Sequence, residues 1–204
     1  MKKTILVTLA LFLIVFSLCV LPIHGEAGIY DNVIRLHVLA NSDSEEDQAL
    51  KLTVRDAILA ESEEILAGAT TREEAEAALS RSLPRIERAA RGAVRAAGFD
   101  APISVCFDVE QYPTRQYENL AFPAGKYLSL RVKIGEAEGR NWWCVLFPPL
   151  CVGAATGRDK QETVCLAAGL STEQYRLIAD TDSVRYKLRF KILETIAGRQ
   201  SAFS

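Results

Sequence analysis

The composition of the chain indicates a globular protein without nucleic-acid or metal chemistry. Its 204 residues are 49% hydrophobic and 25% charged, which excludes disordered, collagen-like and coiled-coil proteins. The formal net charge is −2, whereas a nucleic-acid-binding protein needs an excess of lysine and arginine to neutralise phosphates. The two histidines offer little for a histidine-built metal site, so we expect neither a metal nor a small-molecule cofactor.

The first 27 residues have the features of an export signal. Two lysines precede the apolar run Ile5–Leu21, and the small residues Gly25 and Ala27 follow it, in the order typical of a cleaved secretory signal peptide. A retained membrane anchor is the alternative, because a helix of this length reaches about 26 Å, against about 30 Å for the hydrocarbon core. We therefore divide the chain into a signal peptide or membrane anchor, residues 1–27, and a single extracytoplasmic domain, residues 28–204.

The extracytoplasmic part begins with a predicted strand and helix. Residues 33–40 alternate so that Arg35 and His37 share one strand face and aliphatic residues share the other. Ser44 can accept hydrogen bonds from the free N–H groups of a following helix, and the acidic residues after it favour a helix N-terminus. This helix should end near Leu66.

Two further helices are predicted in the alanine-rich segment that follows. Thr71 begins the first with a capping box, and this helix should end near Ser82. Pro84 suits the first turn of the next helix, which should end near Ala97. Arginines on one side of that helix indicate either an anionic partner or a solvated face, and we favour the solvated face. These residues are Arg81, Arg85, Arg88, Arg91 and Arg95.

Three strands are predicted in the second half of the domain. Residues 103–110 and 128–134 alternate between apolar and polar side chains, and residues 142–147 form a further apolar strand. The segment 111–125 is rich in tyrosine, proline and amides and predicts a loop. The short glycine-containing connection between the last two strands predicts a hairpin.

The C-terminal part predicts a helix and one undecided element. Ser171 is a candidate cap for a short helix through Ile178. Residues 184–192 alternate basic and apolar side chains as a strand does, yet their spacing also fits a helix, and both interpretations stay open. The order of elements predicts an α+β fold, with a mixed or antiparallel sheet and helices packed on one side.

Two catalytic constellations are conceivable, and we favour a structural interpretation of both. His37 and Cys144 would form a nucleophile pair only if the imidazole reached the thiol. Carboxylates for glycoside hydrolysis could come from Asp108, Glu110 and Glu118, but acidic residues are common on a solvated strand face. The sequence therefore predicts no catalytic residues and no metal site.

Both tryptophans of the chain lie side by side in its densest stretch. Trp142 and Trp143 point to opposite faces of a strand, so one can fill the core while the other is open to a partner; burial of both is the alternative. Cys144 and Cys151 flank the prolines 148–149, where a chain reversal would bring the two sulfurs together. We therefore advance a disulfide between them as a hypothesis.

Three segments carry a residue pattern that the alternation of apolar and polar side chains would not by itself produce. They are Ile34–Lys51 with its continuation Val54–Asp56, Phe122–Gly125, and Gly139–Cys151. This pattern resembles the stage II sporulation protein R family. The resemblance implies a signalling role in endospore formation. Members of that family are exported from the forespore, and they activate a membrane-embedded aspartic protease of the mother cell, which then removes the pro-sequence of sigma-E.

The resemblance leads us to expect an exported activator that is not itself an enzyme. Its partner would be that protease, and its location the forespore–mother cell intermembrane space, with membrane contact only through the N-terminal segment. An exported hydrolase acting on cell-wall polymer or peptide is the alternative. Our candidate partner-binding residues lie on the polar side of the first strand and in the tryptophan stretch: Arg35, His37, Asn41, Asp43, Arg140, Asn141, Trp142 and Trp143.

Overall fold

The computed structural model describes residues 7–9, 11–12, 24–117, 119–151 and 158–180 of the chain. The predicted signal or anchor lies largely outside these residues, and the undecided segment 184–192 lies wholly outside them. No helix within the described ranges combines the length and the apolar character needed to cross a bilayer. In chain order the elements are α1 (His24–Asp31), β1 (Ile34–Leu39), α2 (Glu45–Ile65), α3 (Arg72–Ala96), β2 (Ile103–Tyr112), β3 (Arg115–Tyr117), β4 (Leu120–Phe122), β5 (Gly125–Ile134), β6 (Asn141–Phe147), α4 (Arg158–Ala167) and α5 (Thr172–Ala179).

The predicted α+β class is confirmed, and its sheet is mixed. Four strands pair in the order β2-β5-β1-β6. Strand β1 is parallel to β5 and antiparallel to β6, while β2 is antiparallel to β5. The predicted hairpin between β5 and β6 is therefore wrong, because β1 lies between them. Strand β1 takes this central place because almost all its residues are buried, and a strand covered on both faces belongs in the middle of a sheet.

Helices α2 and α3 cover one face of the sheet and build an aliphatic core with it. Both begin where the sequence predicts: the Ser44 side chain accepts a hydrogen bond from the Asp47 amide, and the Thr71 side chain accepts one from the Glu74 amide. Full burial of each large aliphatic side chain contributes about 1.5–3 kcal/mol. The core of this layer includes Ile34, Leu36, Val38, Leu50, Val54, Ile58, Leu79, Ile86, Leu130 and Val132.

The two helices predicted around Pro84 are one helix, α3, with the proline inside it. An internal proline removes one backbone hydrogen bond and normally favours a break. Here the buried side chains continue at helical spacing on both sides of the proline, from Leu79 to Ile86, and pack into the same core. This continuous contact holds the helix together, so the prediction of a break was wrong.

The opposite face of the sheet carries a second, aromatic core. The segment 111–125, predicted as a loop, contains the hairpin β3–β4, whose three-residue strands are too short to show an alternating pattern. Helix α5 begins at its predicted cap, because Ser171 and Gln174 exchange reciprocal hydrogen bonds. Helix α1 packs against α5 and β5. The members of this core include Ile29, Tyr112, Leu120, Phe122, Tyr127, Val145, Tyr175 and Ile178.

Candidate partner-binding site

The turn after β1 and the turn before β6 are hydrogen-bonded into one unit. The Asn41 side-chain oxygen accepts from the Glu136 amide at 3.0 Å, and the Gly139 amide donates to the Ala40 carbonyl at 2.9 Å. One carboxylate oxygen of Asp43 accepts from the Arg140 amide at 2.6 Å. These contacts join two segments that lie about a hundred residues apart in the sequence. We call this unit, residues 40–44 with 135–140, the turn junction.

The first turn of α2 fastens the turn junction from one side. The Asp47 carboxylate accepts hydrogen bonds from the Asn41 side chain at 2.8 Å and from the Ser42 hydroxyl at 2.6 Å. These bonds hold the pKa of Asp47 below its usual range. Lys51 is buried beside them and donates to the Arg140 carbonyl at 2.9 Å, and burial lowers its pKa. The conspicuous polar run after β1 therefore serves largely to hold the two turns together.

A glycine is required where the two turns approach most closely. A Cβ atom added at Gly139 would lie 2.1 Å from the Ser42 carbonyl oxygen, which is rigid backbone. Gly135 has a φ of +58° and would place a Cβ atom against the Asn41 side chain. The sequence signal that could have identified this junction is the pair of glycines flanking an acidic turn, opposite a run of short polar residues.

On the aromatic face, His37 forms a buried pair with a carboxylate. Its Nδ1 atom lies 2.9 Å from Glu110, and its ring stacks on Trp143 with centroids 3.7 Å apart. Burial lowers the pKa of His37, while Glu110 opposes that shift and Arg131 adds to it. In the neutral imidazole, Nδ1–H donates to the carboxylate, which leaves the lone pair on Nε2. That atom is buried, and the Asn141 side chain is a second polar group, besides Glu110, that interacts with the ring and opposes the lowering of its pKa.

The nucleophile pair considered from the sequence is wrong. Cys144 lies opposite Leu36 in the register, whereas His37 lies opposite Trp143, so the sulfur and the imidazole point to opposite faces of the sheet. In the structure Cys144 is bonded to Cys151, and their Cα atoms are 5.9 Å apart.

The carboxylates considered for hydrolysis are bound by cations. Asp108 accepts from Arg131 at 2.9 Å, and Glu110 is held by His37 and Arg131. These contacts support the structural interpretation of both carboxylates. Glu118, the remaining candidate, lies outside the described residues.

Arg35 is fully buried, which its charge did not suggest. Its guanidinium carbon lies 4.5–5.6 Å from the ring centroids of four aromatic residues, and one of its nitrogens donates to the Tyr117 hydroxyl at 2.7 Å. Within the described part of the chain, no carboxylate lies within ion-pair distance of it, and its Nε and Nη1 atoms make no hydrogen bond. Cation–π contacts stabilise such a charge only in part. The four rings belong to Tyr112, Tyr117, Phe122 and Tyr127.

The structure divides the eight candidate partner-binding residues into interior and surface groups. Arg35 and His37 are buried, Asn41 belongs to the turn junction, and Trp142 is half-buried against the helix layer beneath Arg55. Burial and hydrogen bonding explain these four residues as structural. The surface group is Asp43, Arg140 and Asn141, which are exposed, with Trp143, which is half-buried between His37 and Arg115.

Sequence reasoning missed three cations near this surface group. Arg115 lies on the unexpected hairpin, with its guanidinium 5.4 Å from the Trp143 ring centroid. Arg131 and Lys133 lie on β5, on the same face as His37 and Leu39 of the neighbouring strand. Their alternation with aliphatic residues was visible in the sequence, but the strand order that places them beside β1 was not.

The fold and site define a disulfide-bonded α+β domain with a polar, tryptophan-bearing sheet face. Residues 30–156 match the family described as stage II sporulation protein R. The chain is 39% identical over 160 residues to the Bacillus subtilis protein named stage II sporulation protein R, covering 74% of this chain and 71% of that protein. The chain therefore belongs to the stage II sporulation protein R family, and its role is in sporulation. No solved structure matches it.

Proposed function

We propose that this chain is an exported signalling protein that activates a membrane-embedded aspartic protease, so that pro-sigma-E is processed in the mother cell. Membership of the family over residues 30–156 is the observation that carries the proposal. The signal-like N-terminus and the disulfide support it, because disulfides persist in compartments outside the cytosol. The location that follows is the space between the forespore and mother-cell membranes.

Activation by contact requires a difference in affinity between two states of the partner. An activator that binds the active protease about a hundredfold more tightly than the inactive one supplies about 2.7 kcal/mol of bias. Such discrimination is favoured by a contact surface of fixed shape. The turn junction and the adjoining start of β6 provide one, because the Arg140 amide donates to the Asp43 carboxylate and Asn141 pairs with Leu39 of β1.

Co-expression of three components tests the proposal. The full chain, the candidate membrane protease and pro-sigma-E should together yield the shortened sigma factor, whereas omission of the chain should leave the precursor intact. A variant lacking residues 2–23 is the matched control, since it removes the apolar run and keeps α1 and the rest of the domain. Processing that proceeds equally well without the chain would contradict the proposal.

An exported hydrolase is the second candidate, and the His37–Glu110 pair is the observation that favours it. A histidine oriented by a carboxylate is the arrangement of a general base. The purified full chain should be incubated with peptidoglycan and with unstructured peptides, beside a His37→Gln variant. Turnover by the wild-type chain that the variant lacks would establish the hydrolase and displace the activator proposal.

A further inference from the structure

The sheet ends in two edge strands, β2 and β6, which differ in their regularity. Strand β6 has seven residues, and its register against β1 shifts between Ile34 and Arg35. Strand β2 has ten residues and pairs with β5 without a shift. It contains neither the lysine nor the proline that often protects an exposed edge, and its carboxylates, Asp108 and Glu110, are bound within the sheet. Strand β2 is therefore the edge that is better suited to pair with a further strand.

The odd-numbered residues of β2 direct their backbone groups to the open edge. The Gly135 amide donates to the Pro102 carbonyl at 2.9 Å, so the residue pair just before β2 is a hydrogen-bonded one. Hydrogen-bonded and non-hydrogen-bonded pairs alternate along an antiparallel ladder. The N–H and C=O groups of Val105, Phe107 and Val109 therefore point away from β5, and they have no strand partner among the residues that the structure describes.

The helix layer covers β2 at one end only. At the first residue of the strand, Ile103 is buried, and the Arg91 side chain of α3 donates to its carbonyl at 3.0 Å. Near the other end, Val109 lies on the same face of the sheet but is 62% exposed. The edge of β2 thus has one covered end and one uncovered apolar end.

We propose that β2 pairs antiparallel with β2 of a second copy of this chain, across a two-fold axis at Cys106. In this register Val105 lies opposite Phe107 of the second copy, and their outward backbone groups hydrogen-bond to each other. Ser104 lies opposite Asp108 of the second copy, so like charges do not meet across the axis. Each contact occurs twice, as in other two-fold homodimers. This inference goes beyond the proposed function and does not depend on it.

The same register brings the covered end of one strand beside the uncovered end of the other. Ile103, beneath α3, comes opposite Val109 of the second copy, so helix α3 of each copy would border the exposed valine of the other. The strand is therefore complementary to itself in backbone groups, in side-chain polarity and in the cover that its two ends lack or provide. A peptide of unrelated sequence would gain the backbone hydrogen bonds but not this reciprocal cover, and for this reason we assign the edge to a second copy.

Cys106 lies on the proposed axis and allows the dimer to be trapped. It is an exposed free thiol, and the Cα atoms of a non-hydrogen-bonded antiparallel pair are about 4.5 Å apart, which is within disulfide range. The full chain in detergent, with Cys19→Ser to remove the thiol of the leader, should form a cross-linked dimer when copper–phenanthroline oxidises neighbouring thiols. Cys106→Ser should abolish the cross-link, because the other free thiol of the described domain, Cys165, is buried.

Two further variants distinguish the proposed register from chance collisions. Both carry Cys19→Ser and Cys106→Ser, and one adds Ser104→Cys whereas the other adds Asp108→Cys. Neither should cross-link alone, since its two copies of the new thiol would lie about 13 Å apart along the paired strands. A mixture of the two should cross-link, because residues 104 and 108 lie opposite each other. Cross-linking of either variant alone as strong as in the mixture, or none in the mixture, would overturn the proposal.

Sedimentation equilibrium of the full chain in detergent measures the association itself. Val109→Lys places a charge at the uncovered end and should weaken dimerisation at least about tenfold. Leu52→Lys is the matched control, because Leu52 is a partly exposed apolar residue on α2, away from the edge, and this variant should dimerise like the wild type. A wild-type chain that stays monomeric at every concentration would leave the edge to a strand of another protein and overturn the proposal, as would equal weakening by both variants.

Discussion

Arg35 is a buried cation that is expected to lower the stability of the folded domain. A buried cation without a carboxylate partner is expensive, and replacement of such a charge by an apolar residue of similar volume is often neutral or stabilising. We expect Arg35→Met to change the free energy of unfolding by less than about 1 kcal/mol, or to raise it. Equilibrium unfolding in denaturant measures this change in the free energy of unfolding.

Tyr117→Phe is the matched comparison, because it removes the one hydroxyl among the described residues that accepts from Arg35 and leaves the charge in place. We expect this variant to lose about 1–3 kcal/mol of stability, since a buried donor is left unpaired. A large loss in Arg35→Met, with none in Tyr117→Phe, would show that the guanidinium itself holds the aromatic core together.

His37 should make the stability of the domain depend on pH. Its pKa in the folded chain is lowered, so the unfolded chain takes up the proton first as the pH falls below about 6.5. The free energy of unfolding should therefore be highest above that pH and should decrease between it and the folded pKa. Unfolding curves measured from about pH 7.5 to about pH 5 check this. His37→Gln should flatten the dependence, and a decrease of equal size in that variant would assign it to other groups.

At the scale of elements, the turn junction depends on one close approach. Gly139→Ala would force a Cβ atom against the Ser42 carbonyl, and we expect a loss of about 2 kcal/mol or more. Gly92→Ala is the control, since Gly92 lies within α3 and a Cβ atom there would have open space. This substitution should add about 0.5–1 kcal/mol to the free energy of unfolding. Thermal unfolding of both variants measures the difference; equal effects would show that the two turns can separate freely.

Local patterns predicted most elements but not their arrangement. Ser44, Thr71 and Ser171 identified three helix starts, because capping depends on residues within one turn. The position of β1 between β5 and β6 was not visible, since pairing between distant strands depends on burial on both faces. Pro84 misled the prediction for the same reason, because contacts with the sheet and α2 override a local break.

The surface of the site was predicted only in part. Asp43, Arg140, Asn141 and Trp143 do lie at or near the surface, because turns and strand ends are usually exposed. Arg35 and His37 were misjudged, since alternation predicts two strand faces and does not tell which of them a hairpin will cover. Arg115 and Lys133 gave no separate signal, because single cations on strands and turns are common.

At the scale of the whole molecule, the disulfide joins the middle of β6 to the segment that follows the strand. A disulfide that closes so short a loop should contribute about 2 kcal/mol to the free energy of unfolding. We expect Cys144→Ser with Cys151→Ser, or treatment with a reductant, to lower the melting temperature by several degrees. The exposed Cys106→Ser should leave it unchanged, and a reductant effect that persists in the double variant would point to another pair.

Helix α1 and the turn junction lie at opposite ends of β1. It docks at the start of β1 through the buried Ile29 and the hydrogen bond from Tyr30 to Ala124, whereas the turn junction lies at the other end of that strand. The six residues of β1 separate the two ends by about 20 Å. The exposed Asp43 and Arg140 therefore lie at the end of β1 that is opposite to helix α1.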